Sequence, residues 1–233
     1  MEILSSVHRL VFKGVNLLLI AEEKLTLIDT GLRGNLPAIE RYLKKLGRSI
    51  EELDLIIITH NHLDHSGAAV ELVRASGATL AVHEADLSDT ESGLPYPAFA
   101  KKALRLPLVS TLGSFSFPEP DQVAFKLKGG EILSPLGGLE VIHTPGHTPG
   151  SISLYSRSRR MLVVGDLINH RLPSMRLPPR SVCSDMSQVL SSINRLSELD
   201  FDVMCFGHGR PIIKGAKQQL MELLESRASG KTN

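Results

Sequence analysis

The chain has 233 residues and is 42% hydrophobic, long enough for one large or two small domains with a sizeable core. Its net charge of +1 supplies no bulk attraction to nucleic acid or an anionic membrane. Two cysteines, Cys183 and Cys205, make no disulfide framework. With neither an export leader nor a membrane-length apolar run, the expectation is a soluble cytoplasmic protein with reduced thiols.

Residues 1–30 read as strands. Two apolar runs, Val15–Ile20 and Leu25–Ile28, flank the polar turn Glu22-Glu23-Lys24 as a hairpin, which ends at Asp29-Thr30-Gly31. Asn35 is placed to cap a helix with Pro37 in its first turn and Gly47 past its end. The run Leu55–Ile58 is a buried strand, followed at once by His60-Asn61-His62-Leu63-Asp64-His65. Residues 66–75 then predict one helix closed by Gly77, and Thr79–Val82 a further strand. Strand–helix–strand order implies a parallel or mixed sheet with helices on its faces.

From about 84 to 127 periodicity fades, with a weak helical pattern over 98–106, and this stretch is expected to be a variable loop. Leu139–Ile142, Ile152–Tyr155 and Met161–Val164 read as strands, and residues 167–184 as a second irregular loop. Asp185 caps a helix running to about Leu199. Asp202–Phe206 is the last strand, and Lys214–Arg227 a closing helix. The whole, residues 1–233, is expected to be a single domain.

One event recurs. Asp29, His60, His147, Asp166 and His208 each lie at or just past the end of an apolar strand, and strand ends of one sheet converge in space. Gly146, Gly165, Gly207 and Gly209 would permit the close approach a crowded centre needs. Imidazole and carboxylate suit zinc, and also iron, manganese or nickel. His60, His62 and His147 could form one three-imidazole group, and Asp64, His65 and His208 a second. Asp166 could bridge two divalent ions, Zn2+ being the first expectation and iron or manganese the alternatives. Two ions ~3.5–4 Å apart can hold a hydroxide nucleophile at neutral pH. Isolated histidines are more often structural, so His8, His83 and His170 receive no metal role. His143, four residues before His147, could serve as an outer partner of a metal-bound imidazole. Asp29 is expected to fix the cluster loop by hydrogen bonds or simply to begin a turn.

The motif His60-Asn61-His62-Leu63-Asp64-His65 matches the H-x-H-x-D-H signature of the metallo-β-lactamase superfamily, and the chain resembles that family over nearly its whole length. Val15–Ile20 with Leu27-Ile28-Asp29-Thr30-Gly31 resembles its opening hairpin. Thr144–Ser151 resembles its third histidine motif, Gly165-Asp166 its bridging aspartate and Phe206-Gly207-His208-Gly209 its last histidine. The resemblance implies an α/β fold, a four-layer αββα sandwich of two mixed sheets flanked by helices, with a dinuclear metal site along one edge. It also implies that Asp64 is a ligand that orients the nucleophilic water or carries its proton.

Within the family, His62 stands where flavodiiron proteins carry Glu. Only about 25 residues follow His208, against the helical glutathione cap of glyoxalase II-type thioesterases. Leu167-Ile168-Asn169-His170 departs from the Gly-Arg-Thr-Asp run of persulfide dioxygenases, and no Tyr follows Asp166 as in quorum-sensing lactonases. The expectation is a dinuclear hydrolase of small-molecule esters, thioesters or lactones. The alternatives are a mononuclear iron persulfide dioxygenase-like oxidoreductase, phosphotriesterase or β-lactamase-type hydrolysis at the same site, or a non-catalytic metal binder. Tyr96, Phe99, Phe115 and Phe117, with His170, are the candidate substrate wall. A small-molecule partner, no nucleic acid, no membrane and a homodimer complete the expectation.

Overall fold

The computed structural model describes residues 1–88, 123–171 and 174–229. The first half runs β1 (Glu2–Leu4), β2 (Val7–Phe12), β3 (Val15–Ala21), β4 (Leu25–Ile28), α1 (Leu36–Lys45), β5 (Leu53–Ile57), α2 (Leu63–Ser66), α3 (Ala69–Ser76), β6 (Thr79–His83), α4 (Glu84–Ser88) and β7 (Phe125–Leu127). The second runs β8 (Ile132–Leu133), β9 (Leu139–His143), β10 (Ile152–Ser156), β11 (Met161–Val163), β12 (Asn169–Arg171), β13 (Ser174–Arg176), α5 (Met186–Ser197), β14 (Val203–Cys205) and α6 (Ala216–Ala228).

Strands β1 to β7 form one sheet in sequence order, antiparallel as far as β4 and parallel beyond it. A second sheet has the order β14-β11-β10-β9-β8, with β11 and β14 parallel. Strand side chains alternate between faces, and here both faces are buried. Leu17 and Leu19 of β3 pack with Ile39 and Leu43 of α1 and Leu72 of α3. Their neighbours Leu18 and Ile20 face the other way and pack with Val141, Leu154 and Val163 of the second sheet. Leu162 and Met204 on the far face of that sheet meet Val189, Ile193 and Leu196 of α5 and Leu220 of α6. Three apolar interfaces separate four layers, helix–sheet–sheet–helix. This is why the strands read as unbroken apolar runs rather than alternating ones. Each fully buried Leu or Ile stabilises the stack by about 1.5–3 kcal/mol.

The structure departs from the expected elements at four places. Asn35 does not cap α1 with its side chain; its Nδ2 donates to the Thr30 carbonyl, and the Glu71 carboxylate accepts from Gly34 N and Leu36 N instead. Residues 66–75 are not one helix. Ala68 N bonds the Gly31 carbonyl at 3.1 Å and Thr30 N takes the His65 carbonyl at 2.7 Å, so the loop after β4 interrupts the helical ladder between α2 and α3. Residues 167–184 are not irregular throughout, because β12 and β13 pair as a hairpin. Residues 84–127 likewise contain α4 and β7. Tyr96, Phe99, Phe115, Phe117 and the weak helix over 98–106 lie outside the described residues.

Candidate metal centre

The candidate ligands sit where strands run out, with Asp64 and His65 on α2 just beyond β5. His60 and His62 follow β5, Asp166 follows β11 and His208 follows β14, while His147 lies in the loop joining β9 to β10. The strand ends therefore belong to two sheets rather than one, and the site forms along their shared edge. Hydrogen bonds lace that edge together: Ile152 N donates to the Thr59 carbonyl at 2.9 Å, and Asn16 N to the Gly207 carbonyl at 2.8 Å.

Seven side chains converge. Ligand-capable atoms of His60, His62 and His147 lie within 4.8 Å of one another, as do those of Asp64, His65 and His208, and those of His60, His65 and Asp166. His62 Nδ1 and His147 Nε2 stand 2.9 Å apart. Asp166 reaches both groups: its Oδ2 is 3.8 Å from His147 Nε2 and 3.2 Å from His208 Nε2. Asp64 Oδ2 lies 3.3 Å from His208 Nε2. These are the groupings expected from the sequence.

The outer nitrogens fix which atoms face inward. His65 Nδ1 donates to Asp29 Oδ2 at 2.8 Å, and His208 Nδ1 to the Gly14 carbonyl at 3.0 Å. Thr59 Oγ1 donates to Asp29 Oδ2 at 2.8 Å and so accepts from His60 Nδ1 at 3.1 Å. With Nδ1 occupied, each of these imidazoles turns Nε2 towards the centre. Among the described residues, His60 Nε2, His65 Nε2 and Asp166 Oδ1 are buried without a hydrogen-bond partner. Orphaned buried polar atoms are costly, and three aimed at one place fit a bound cation. Gly207 leaves the room, since a Cβ there would lie 2.1 Å from Asp166 Oδ1.

Electrostatics agree. Burial pushes His60, His62 and His147 down, to about 4 for His62 and about 3 for His147, so they stay neutral with lone pairs available. Burial also opposes charge on His65 and His208, but carboxylates outweigh it. Asp166 and Asp29 raise His65 to about 9, and hydrogen bonds to Asp166 and Asp64 raise His208 to about 11. Asp166 is held well below the usual carboxylate range because His65 and His208 overcome its burial. The field thus favours positive charge between the imidazoles.

Asp29 is buried, with its carboxylate also accepting from Thr59 N at 2.8 Å. Its φ of 59° is costly for a non-glycine residue, and three donors hold it there. His143 Nε2 donates to the Pro149 carbonyl at 2.8 Å, and its ring stacks on His83 at 4.0 Å; it touches the third histidine motif through the backbone. His170 is buried, with Nδ1 committed to the Arg210 carbonyl at 2.7 Å, so that side chain secures the loop after His208.

Asp86 is the residue the sequence reading missed. It is buried in α4, and its carboxylate accepts from Asn61 N, Thr148 Oγ1 and Gly150 N. A signal existed: Asp86 follows the apolar strand β6 much as Asp29 follows β4.

An αββα sandwich with histidines and aspartates converging along the shared edge of its two sheets defines a class of metal-binding proteins. The model of the metallo-beta-lactamase superfamily matches residues 10–208, and the chain belongs to that superfamily. It is 26% identical to the probable metallo-hydrolase YflN of Bacillus subtilis, over 98% of this chain and 93% of that one. To the hydroxyacylglutathione hydrolase GloC of Haemophilus influenzae it is 30% identical, over 79% and 84% respectively. The crystal structure of the metallo-beta-lactamase family protein TTHA1429 from Thermus thermophilus superposes with a TM-score of 0.75 at 25% identity, covering 98% of this chain and 81% of that one.

Proposed function

We propose that this chain is a metal-dependent hydrolase of small-molecule esters, thioesters or lactones that works with two divalent ions, Zn2+ first among them. The observation that carries the reading is the convergence of three orphaned buried ligand atoms, His60 Nε2, His65 Nε2 and Asp166 Oδ1. His60, His62 and His147 would hold one ion, Asp64, His65 and His208 the other, and Asp166 would serve both. Bound there, the ions would supply Lewis acidity, lowering the pKa of water and polarising an acyl oxygen.

The chain's own residues divide the remaining work. His60, His65 and Asp166 form the closed floor. Asp64 and His208 are 36% and 35% exposed and form the open side, so substrate enters past them. Asp64 is the carboxylate placed to orient an attacking water and take its proton. Burial raises the Asp64 pKa, but the hydrogen bond with His208 brings it below the ordinary value, so it stays ionised for that role. The outer bonds from Asp29, Thr59 and the Gly14 carbonyl keep three imidazoles oriented throughout.

The similarity to GloC supports an acyl substrate carried on a thiol. No helix among the described residues is long and apolar enough to cross a membrane. A small-molecule partner without nucleic acid or membrane, a homodimer, and a cytoplasmic setting in which the free Cys183 and Cys205 stay reduced belong to the same proposal. The test is a panel of acyl-glutathione, acyl-coenzyme A, aryl ester and lactone substrates, assayed with Zn2+-loaded protein. Hydrolysis of at least one that Asp64→Asn abolishes supports the reading. Oxygen consumption on a glutathione persulfide by an iron-loaded sample, with no hydrolysis in the panel, would replace it.

A further inference from the structure

Two sets of hydrogen bonds that share no residue each hold one half of the centre. Asp86 joins the two loops that supply the three-imidazole group. Its Oδ2 accepts from Asn61 N at 2.8 Å, between His60 and His62, and from Thr148 Oγ1 at 2.9 Å, beside His147. Its Oδ1 accepts from Gly150 N at 2.6 Å, and its carbonyl takes Asn61 Nδ2 at 2.8 Å. A Cβ on Gly150 would lie 2.6 Å from Asp86 Cγ, so this loop is shaped around the carboxylate.

Asn16, on β3, does the equivalent for His208. Its Nδ2 donates to the Phe206 and Gly209 carbonyls, both at 2.8 Å, and its backbone N donates to the Gly207 carbonyl at 2.8 Å. Arg9 of β2 completes the brace, with Nε on Asn16 Oδ1 at 2.8 Å and Nη2 on the Gly209 carbonyl at 2.7 Å. Every polar atom of the Asn16 side chain is used, although β3 is otherwise an apolar strand. Neither brace includes a ligand of the other half.

We propose that Asp86 and the Arg9–Asn16 pair are positioning residues that act independently. Asp86 sets the affinity of the His60/His62/His147 group for its ion, and Asn16 that of the group containing His208. Partners outside the ligand set change metal affinity by roughly 10–100-fold when lost. The inference rests on the metal-dependent reading above.

The test is a Zn2+ titration of chelator-treated protein, followed by the 15N imidazole resonances of the individual histidines. For Asp86→Asn, the His60, His62 and His147 signals should need at least about tenfold more Zn2+ than in wild type, while His208 follows the wild-type curve. For Asn16→Ala the pattern should reverse. If Asp86→Asn does not fold by circular dichroism, Thr148→Val removes one donor from the same carboxylate and must show the same one-sided loss. Equal weakening of both groups in either folded variant, or no weakening in both, overturns the inference alone. A wild-type protein that takes up no Zn2+ overturns it together with the hydrolase reading.

Discussion

His65 Nδ1 donates to Asp29 Oδ2 at 2.8 Å, across 36 residues of sequence and between two buried side chains. The same carboxylate binds Thr59 N and Thr59 Oγ1, and Thr59 Oγ1 in turn bears on His60 Nδ1. One carboxylate therefore orients an imidazole in each ligand group. Asp29→Ala should strip buried partners from Thr59 and His65 and remove the reason for a left-handed backbone at position 29. Each unsatisfied buried group costs about 1–3 kcal/mol, so urea unfolding should show a loss of at least about 2 kcal/mol. Unchanged stability would remove Asp29 from this role.

Asp166→Asn should separate metal binding from folding. The side chain keeps its volume but loses the charge facing His65 and His208. Elemental analysis should show reduced metal content and the rate should fall, with the circular dichroism spectrum unchanged. Asp64→Asn should impair turnover more than folding, because Asp64 stands at the open side.

Gly207→Ala adds one methyl where no space exists. Its Cβ would lie 2.1 Å from Asp166 Oδ1 and 2.6 Å from His65 Cε1. Metal content should drop as Asp166 is displaced, whereas Gly130→Ala, whose Cβ meets nothing within 4 Å, should leave metal content unchanged. Gly130 has a φ of 95°, so a modest stability loss is expected there from backbone strain alone.

Chelated protein should be most stable near pH 6.5, the ordinary histidine value. His62 and His147 titrate near 4 and 3 in the folded chain, and His60 is also depressed. The unfolded state therefore binds more protons below about 6.5, and stability falls as pH drops through that window. His65 and His208 are raised to about 9 and about 11. Their contribution is complete below about 6.5 and is lost as pH rises through those values. A scan of melting temperature against pH should show the maximum, and a monotonic rise into the alkaline range would contradict it.

Much of this was legible in the sequence because the centre repeats one local event, an apolar run ending in His or Asp. Buried strands such as β11 and β14 are apolar on both faces, and Asp185 caps α5 through Ser187 N and Gln188 N as its position suggested. What escaped notice depends on partners distant in the chain. β8 has two residues and β7 three, too short to carry a period of two. The break between α2 and α3 is imposed by Thr30 and Gly31, more than thirty residues upstream. Asn16 looked like an ordinary strand residue, yet its bonds go to Phe206 and Gly209; a lone amide in an apolar run was the available clue. That the strand ends come from two sheets also could not follow from order alone, since β4–β5 and β11–β14 are each parallel pairs ending at the same edge.

The most direct test of the central claim is the rate of acyl-substrate hydrolysis as Zn2+ is returned to chelated protein in measured equivalents. Activity should be absent without metal and reach its plateau at two equivalents, one for the His60/His62/His147 group and one for the Asp64/His65/His208 group. Full activity in the chelated protein, or a plateau at a single equivalent, would contradict the two-ion account.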